Sequence, residues 1–229
     1  MVTDSLDGIA LLEELDPSQR QELARLCRWR RYAAGEQIID RQSETRDVFF
    51  VVRGQARVVI YSASGREVSL DDITEGGFFG ELAALDGAPR SASVMAVSEC
   101  LVATMSPELF LKIIREQGSV AMQLLWRLAA MVRASTERIV DLSTLGANNR
   151  VQAEILRRAL EARTDPEGRP VIQPIPVHGE VASRVSTTRE TVARVLSDLA
   201  RRGIVRRERD ALLVLDLGRL EVMVSDMAG

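Results

Sequence analysis

Among the few charged side chains of the mostly small and apolar stretch "GELAALDGAPRSAS" at residues 80–93, Glu81 and Arg90 mark the first place where this chain could do chemistry. Glu81 and Arg90 are nine residues apart, with a Gly-Ala-Pro bend between them. A carboxylate and a guanidinium so spaced either neutralise each other or meet a ligand that brings an anion to the arginine and a hydroxyl to the carboxylate. The residue types alone leave both readings open. A second concentration of charge lies within 184–209, where eight arginines stand against Glu190, Asp198 and Glu208. That local excess suits a polyanion, although solvated helix faces produce similar runs.

Other chemistries have little material to work with. His178 is the single histidine, and Cys27 and Cys100 stand in unrelated contexts without metal-ligand spacing. Metal-dependent, haem and iron–sulfur chemistry are therefore not expected, nor is a resident cofactor. No nucleophile with a partnering base is visible, so the chain does not read as an enzyme. No apolar run approaches the roughly 18 residues of a membrane span, and the opening "MVTDSLDGIALLEEL" is acidic where a signal peptide would be basic. A cytoplasmic protein without a membrane partner is expected.

The 229 residues, 46% hydrophobic and 28% charged, suffice for one large domain or two small ones. The net charge of -3 hides a division, since residues 1–146 carry -5 and residues 147–229 carry +2. From Ile9 to Arg31 the apolar positions recur at helical spacing, with a break at Asp16-Pro17 where one helix can be capped and opened. From Tyr32 to Met105 short β-branched and aromatic runs separated by glycine suggest an antiparallel sandwich or barrel. Ser106-Pro107-Glu108 starts a helix, and Gly118 divides a short helix from a long one. In the long helix Leu125, Leu128, Val132, Ser135, Ile139 and Leu142 form an a/d seam suited to a homodimer, the alternative being a helix lying on its own domain. A second row, Leu124 and Met131, could face the β-rich segment.

After "LGANN" a second domain begins. A helix from Arg150 to Ala162, an extended stretch interrupted by prolines, two more helical patterns and a hairpin "GIVRRERDALLVL" follow in turn. In "HGEVASRVSTTRETVARVLSDLARRG" a helix of about 179–185 buries Val181, Ala182 and Val185. A turn at Ser186-Thr187 leads to a helix of about 188–202, whose Val192, Val195, Leu196 and Leu199 form one apolar stripe. Thr187 and Glu190 are expected to form its capping box. The opposite face presents Thr188, Arg189, Glu190 and Arg194, residue types that read base edges in a major groove. A plain antiparallel helix pair with solvated charges is the competing reading. Arginines of "RRERD" in the hairpin would meet phosphate.

In this order, the β-rich segment, seam helix and winged helix-turn-helix resemble the cyclic-AMP receptor protein (CRP/FNR) family of bacterial transcription regulators over nearly the whole chain. "FFGELAALDGAPRSASVMA" resembles the family's phosphate-binding cassette, "RETVARVL" is similar to its recognition helix, and "STER" resembles a Thr-Ser-Glu-Lys sequence with the hydroxyl residues exchanged. The resemblance implies an α+β fold, with an N-terminal antiparallel β-roll domain (1–118), a long dimerisation helix and hinge (119–146) and a C-terminal winged helix-turn-helix (147–229). It implies cAMP or cGMP as effector, with Arg90 on the cyclic phosphate and Glu81 accepting from the ribose 2′-hydroxyl. Gly80 and Leu82 would offer backbone N–H groups, Ser91 would bond phosphate or base, and Ser135 and Thr136 would reach the purine. Arg189, Glu190 and Arg194 would read a GTGA-like half-site of palindromic double-stranded DNA. Partners implied are a second copy of the chain and RNA polymerase. A relative answering to a different effector, or to none, remains the other reading. One departure is Ser186, which stands where the family commonly has glycine in the helix-turn-helix turn.

Overall fold

The computed structural model describes residues 5–62, 65 and 67–225. Met1 to Asp4, at the head of the acidic lead, and Ala63 and Ser64, in the turn of "ARVVIYSASG", lie outside the described residues. The chain divides into two compact units, Met1–Val132 and Arg133–Gly229.

The first unit opens with a single 3-10 turn at Ala10–Leu12 and helix α1, Pro17–Leu26. Pro17 takes the first helical position, and the Gln19 side chain accepts from the Asp16 N–H at 3.1 Å. The helical lead does not run to Arg31 as its spacing suggests. It stops at Cys27, and strand β1, Arg28–Tyr32, pairs antiparallel with a later strand through all five of its residues. Tertiary pairing outweighs the local period, and Trp29 packs on the core from a strand instead of a helix.

The strands that follow are β2 (Gln37–Ile39), β3 (Val48–Arg53), β4 (Gln55–Tyr61), β5 (Glu67–Thr74) and β6 (Phe78–Phe79). After the short helix α2 (Glu81–Asp86) come β7 (Ser93–Ala96) and β8 (Cys100–Met105). They form two four-stranded antiparallel sheets, in the orders β1-β8-β3-β6 and β2-β7-β4-β5. The run "VFFVV" explains the layering. Alternate side chains of a strand point to opposite faces, so a run apolar at every position needs cover on both. Phe49 and Val51 enter the core of the roll with Ala56, Val94 and Val102. Val48 and Phe50 face a second core with Leu23, Phe110, Ile113 and Leu124.

Those last residues belong to α1 and to helices α3 (Pro107–Glu116) and α4 (Gly118–Thr144). Ser106 caps α3, its hydroxyl accepting from Leu109 N at 3.3 Å. On α4 Leu124 is buried in the core, as its row suggested, and Leu128 also packs against that core although its heptad position assigns it to the seam. Leu125, Val132, Ile139 and Leu142, four members of the a/d row, are 43–65% exposed.

In the second unit α5 spans Ala147–Glu161 and therefore takes in most of "LGANN", leaving only Leu145 and Gly146 between it and α4. Strands β9 (Arg163–Thr164) and β10 (Pro170–Ile172), helices α6 (His178–Arg184) and α7 (Arg189–Arg201), strands β11 (Val205–Arg207) and β12 (Leu212–Val214), and helix α8 (Leu217–Ser225) complete it. The sheet order is β11-β12-β10-β9. Val181, Ala182, Val185, Val192, Val195 and Leu199 fill one core with Val151, Ile155 and Leu220. The fold is α+β, a β-roll with flanking helices followed by a winged helix-turn-helix.

Candidate functional site

Gly80 sits where the roll delivers its aromatic strand to α2, with φ +88°, a conformation open to glycine at little cost. A Cβ there would lie 2.9 Å from Arg90 Nη1 and from the Asp47 carbonyl oxygen, so the position also requires the absence of a side chain. Glu81 and Arg90 are both buried, at 4% and 5% exposure. They make no ion pair with each other among the described residues. Arg90 Nη1 instead donates to the Gly80 carbonyl at 2.9 Å, and Nη2 to the Asp47 carbonyl at 2.8 Å and the Thr45 hydroxyl at 3.3 Å. Its guanidinium lies 5.7 Å from the Phe49 ring, which stacks on Phe79 at 5.2 Å. Nε is buried and has no hydrogen-bond partner.

Burial pulls the Arg90 guanidinium below the usual arginine range, with Asp47 and Glu81 pulling it back. Burial likewise pushes the Glu81 carboxyl above its ordinary 4.5; its own backbone N–H and then Arg127 oppose the rise, Asp71 adds to it, and Arg90 opposes it last. Arg127, on α4, donates to Asp71 on β5 at 2.5 Å. The cradle is thus electropositive at one wall and holds a costly carboxylate at the other. Such an arrangement accepts an anion and a hydroxyl donor together. Leu82 is half-buried beside it, and Ser91 is exposed. Ser135 and Thr136 stand exposed on α4, past the division between the two units. Thr45, Asp47, Arg127 and Asp71 were missed from the sequence, because contacts across 43 to 56 residues leave no local spacing to read.

The second candidate surface is the exposed start of α7. Its N-cap is Thr188, whose hydroxyl accepts from Thr191 N at 3.2 Å. The expected box of Thr187 and Glu190 is not the cap: the helix begins one residue later, and Thr187 N closes the turn on the Ala182 carbonyl at 2.9 Å. Ser186 holds that turn at φ +53°, a left-handed conformation unusual for a residue with a side chain. Arg150 braces it, donating from Nε to the Val185 carbonyl at 2.9 Å, from Nη2 to Ser186 at 3.2 Å and from Nη1 to Leu145 at 2.8 Å. Arg189 and Glu190 are exposed, and Arg194 reaches Asn148 at 3.4 Å.

Comparison with known proteins joins the two surfaces. Residues 29–117 match the model of the cyclic nucleotide-binding domain, and residues 149–223 that of the Crp-like helix-turn-helix domain. The chain is 31% identical over 185 residues to the cAMP-activated global transcriptional regulator Vfr of Pseudomonas aeruginosa, covering 78% of this chain and 85% of that protein. The chain belongs to the CRP/FNR family. The CRP of Salmonella typhimurium, a cAMP-activated global transcriptional regulator, is 28% identical over 182 residues, covering 78% of this chain and 85% of its own. Among solved structures, the Thermus thermophilus catabolite activator protein is 30% identical, with TM-score 0.53 over 96% of this chain and 100% of that one. A CooA variant from Carboxydothermus hydrogenoformans shares the CRP/FNR fold with TM-score 0.78 at 22% identity, covering 87% and 88% of the two chains. As a CRP/FNR protein the chain is a transcription regulator of the DNA-binding type, carrying a cyclic nucleotide-binding domain. Among the described residues no helix is long and apolar enough to cross a membrane.

Proposed function

We propose that the protein is a homodimeric, sequence-specific DNA-binding regulator switched by cAMP, with cGMP as the competing effector. The observation that carries this reading is the buried Arg90 Nε without a partner, in a pocket where Glu81 does not neutralise the guanidinium. Arg90 receives the cyclic phosphate, Glu81 the ribose hydroxyl, Gly80 and Leu82 add backbone N–H groups, and Ser91 bonds phosphate or base. The cAMP-activated relatives Vfr and CRP support adenine as the base.

The exposed apolar row of α4 supports pairing of two long helices, which brings Ser135 and Thr136 of both copies to the purine. Residues 1–118 then act as sensor, 119–146 as dimerisation helix and hinge, and 147–229 as reader. Ligand binding at the seam sets two α7 helices about 34 Å apart, where Thr188, Arg189, Glu190 and Arg194 address GTGA-like half-sites. RNA polymerase is the protein partner of the bound dimer. The coupling between ligand and DNA should be about 1–3 kcal/mol.

Calorimetry of ligand-stripped protein with cAMP and cGMP in parallel, followed by gel-shift titration, tests this. Saturable cAMP binding that tightens DNA binding is expected. No heat with either nucleotide, or equal DNA affinity with and without them, refutes it.

A further inference from the structure

The arginines of the DNA-binding unit are mostly spoken for. Arg201 and Arg202 pair with Asp198, Arg206 with Glu208, and Arg184 with Glu154. Arg189, like Arg207 and Arg209 of the hairpin, makes no hydrogen bond or ion pair among the described residues, so its donors are uncommitted. What locates its guanidinium is packing. A Cβ built on Gly179, in the first turn of α6, would lie 2.9 Å from Arg189 Nε and 3.2 Å from both Cζ and Nη2. The guanidinium therefore occupies the space that any other residue at 179 would fill with its own side chain.

We propose that Gly179 is a positioning residue for DNA readout, its bare backbone forming the shelf across which Arg189 of the recognition helix is laid. The inference rests on the reading of Arg189 as a base contact. An arginine meets guanine through a planar fork, and two parallel hydrogen bonds tolerate little error in the plane of that fork. Laying the guanidinium on a backbone surface fixes the plane without spending a donor. Gly179 is not in a left-handed conformation, and alanine is the better helix former, so adding a methyl there displaces the guanidinium without straining α6.

The test uses the full-length protein with saturating cAMP and a duplex that the wild type selects from a randomised library, together with every single-base-pair variant of it. Arg189→Ala should lose discrimination at one base pair of each half-site, where about 5- to 150-fold is expected of an intact bidentate contact. Gly179→Ala should lose much of the discrimination at that same pair, keep the salt slope, melt no lower than wild type, and add nothing in the Arg189→Ala background. Gly179→Ser, which brings the same Cβ, should repeat the result. Wild-type discrimination in Gly179→Ala, or an equal loss on all sequences, overturns the proposal while leaving the Arg189 reading intact. An Arg189→Ala protein that discriminates as before removes the reading and the proposal with it. If both variants at 179 fail to fold, Gly179 is a packing residue and the proposal is wrong.

Discussion

Arg90 is bound to the residue before Glu81, not to Glu81: its Nη1 donates to the Gly80 carbonyl at 2.9 Å. The arginine is aimed by backbone oxygens, which leaves it without an ion pair to the neighbouring carboxylate and leaves Nε without a partner. Two consequences for substitution at 90 separate binding from folding.

Arg90→Leu should weaken cAMP binding by about 10- to 150-fold, the worth of a charge-assisted hydrogen bond to phosphate. It should also cost about 1–3 kcal/mol of stability, because the Gly80 and Asp47 carbonyls lose their donor. Arg90→Lys keeps the charge without the fork and should fall between the two. Calorimetry on variants shown to be folded by thermal melting measures both effects, and undiminished affinity in Arg90→Leu would remove Arg90 from the site.

Nucleotide affinity should rise with pH from the ordinary glutamate value of 4.5 upward, through the elevated Glu81 value. A carboxyl raised by burial holds its proton in the folded state, so its contribution to stability is present below 4.5 and is lost as pH rises through the elevated value. A ribose hydroxyl bonds more strongly to the ionised acceptor, so binding favours loss of that proton. Glu81→Gln should flatten the pH dependence of affinity in this window, while its stability relative to wild type improves as pH increases. A pH series of titrations checks it; parallel curves for wild type and variant would show that Glu81 does not take part.

Much of this was legible because the relevant signals are local. The run "DVFFVVRG" reads as a strand and contains β3, and the stripe Val192, Val195 and Leu199 of α7 sits in the core of the second unit. What was not legible is set by distant chain. Trp29 continues a helical period yet lies in β1, because Ala103 opposite it offers a strand to pair with. Helix α8 went unread, although its Leu220 closes the second core. Around Glu81 and Arg90 the spacing marks the two charges, but Asp47, Arg127 and Asp71, which set their electrostatics, arrive from other elements. The cap of α7 was misplaced by one residue because Thr187 and Thr188 offer equivalent hydroxyls, and the Ser186 turn decides between them.

Ser186→Gly should stabilise the second unit by about 0.5–1 kcal/mol. A left-handed residue with a Cβ costs about 1–2 kcal/mol, of which the greater freedom of glycine in the unfolded chain returns a part. The Ser186 side chain is not needed by Arg150, which uses the main-chain carbonyl. A higher melting midpoint with unchanged DNA affinity is expected, and a lower midpoint would mean that the serine hydroxyl supports the turn.

Glu154 should prove to be the main electrostatic support of the DNA-binding unit. At 1% exposure it is the most deeply buried carboxylate among the described residues of the second unit, and it is approached by Arg157, by Arg158 Nε at 2.7 Å and by Arg184 Nε at 3.3 Å. Arg184 lies on α6, so the cluster ties the first helix of the helix-turn-helix to α5, and Arg157 extends it to Asp141 on α4 at 3.5 Å. Removing the anion leaves several guanidinium groups facing one another around a dry position, which in fully buried pairs costs about 3–5 kcal/mol. Here the arginine side chains are 24–41% exposed, and water screens part of that loss. Glu154→Gln should therefore cost about 2 kcal/mol in denaturant unfolding of the second unit. Glu154→Leu, which cannot accept a hydrogen bond, should cost more, and both should weaken DNA binding because α6 loses its tether to α5. A loss below about 0.5 kcal/mol in Glu154→Gln, the level of an ordinary surface substitution, would mean that packing of Val151, Ile155 and Val181 holds these helices without the cluster.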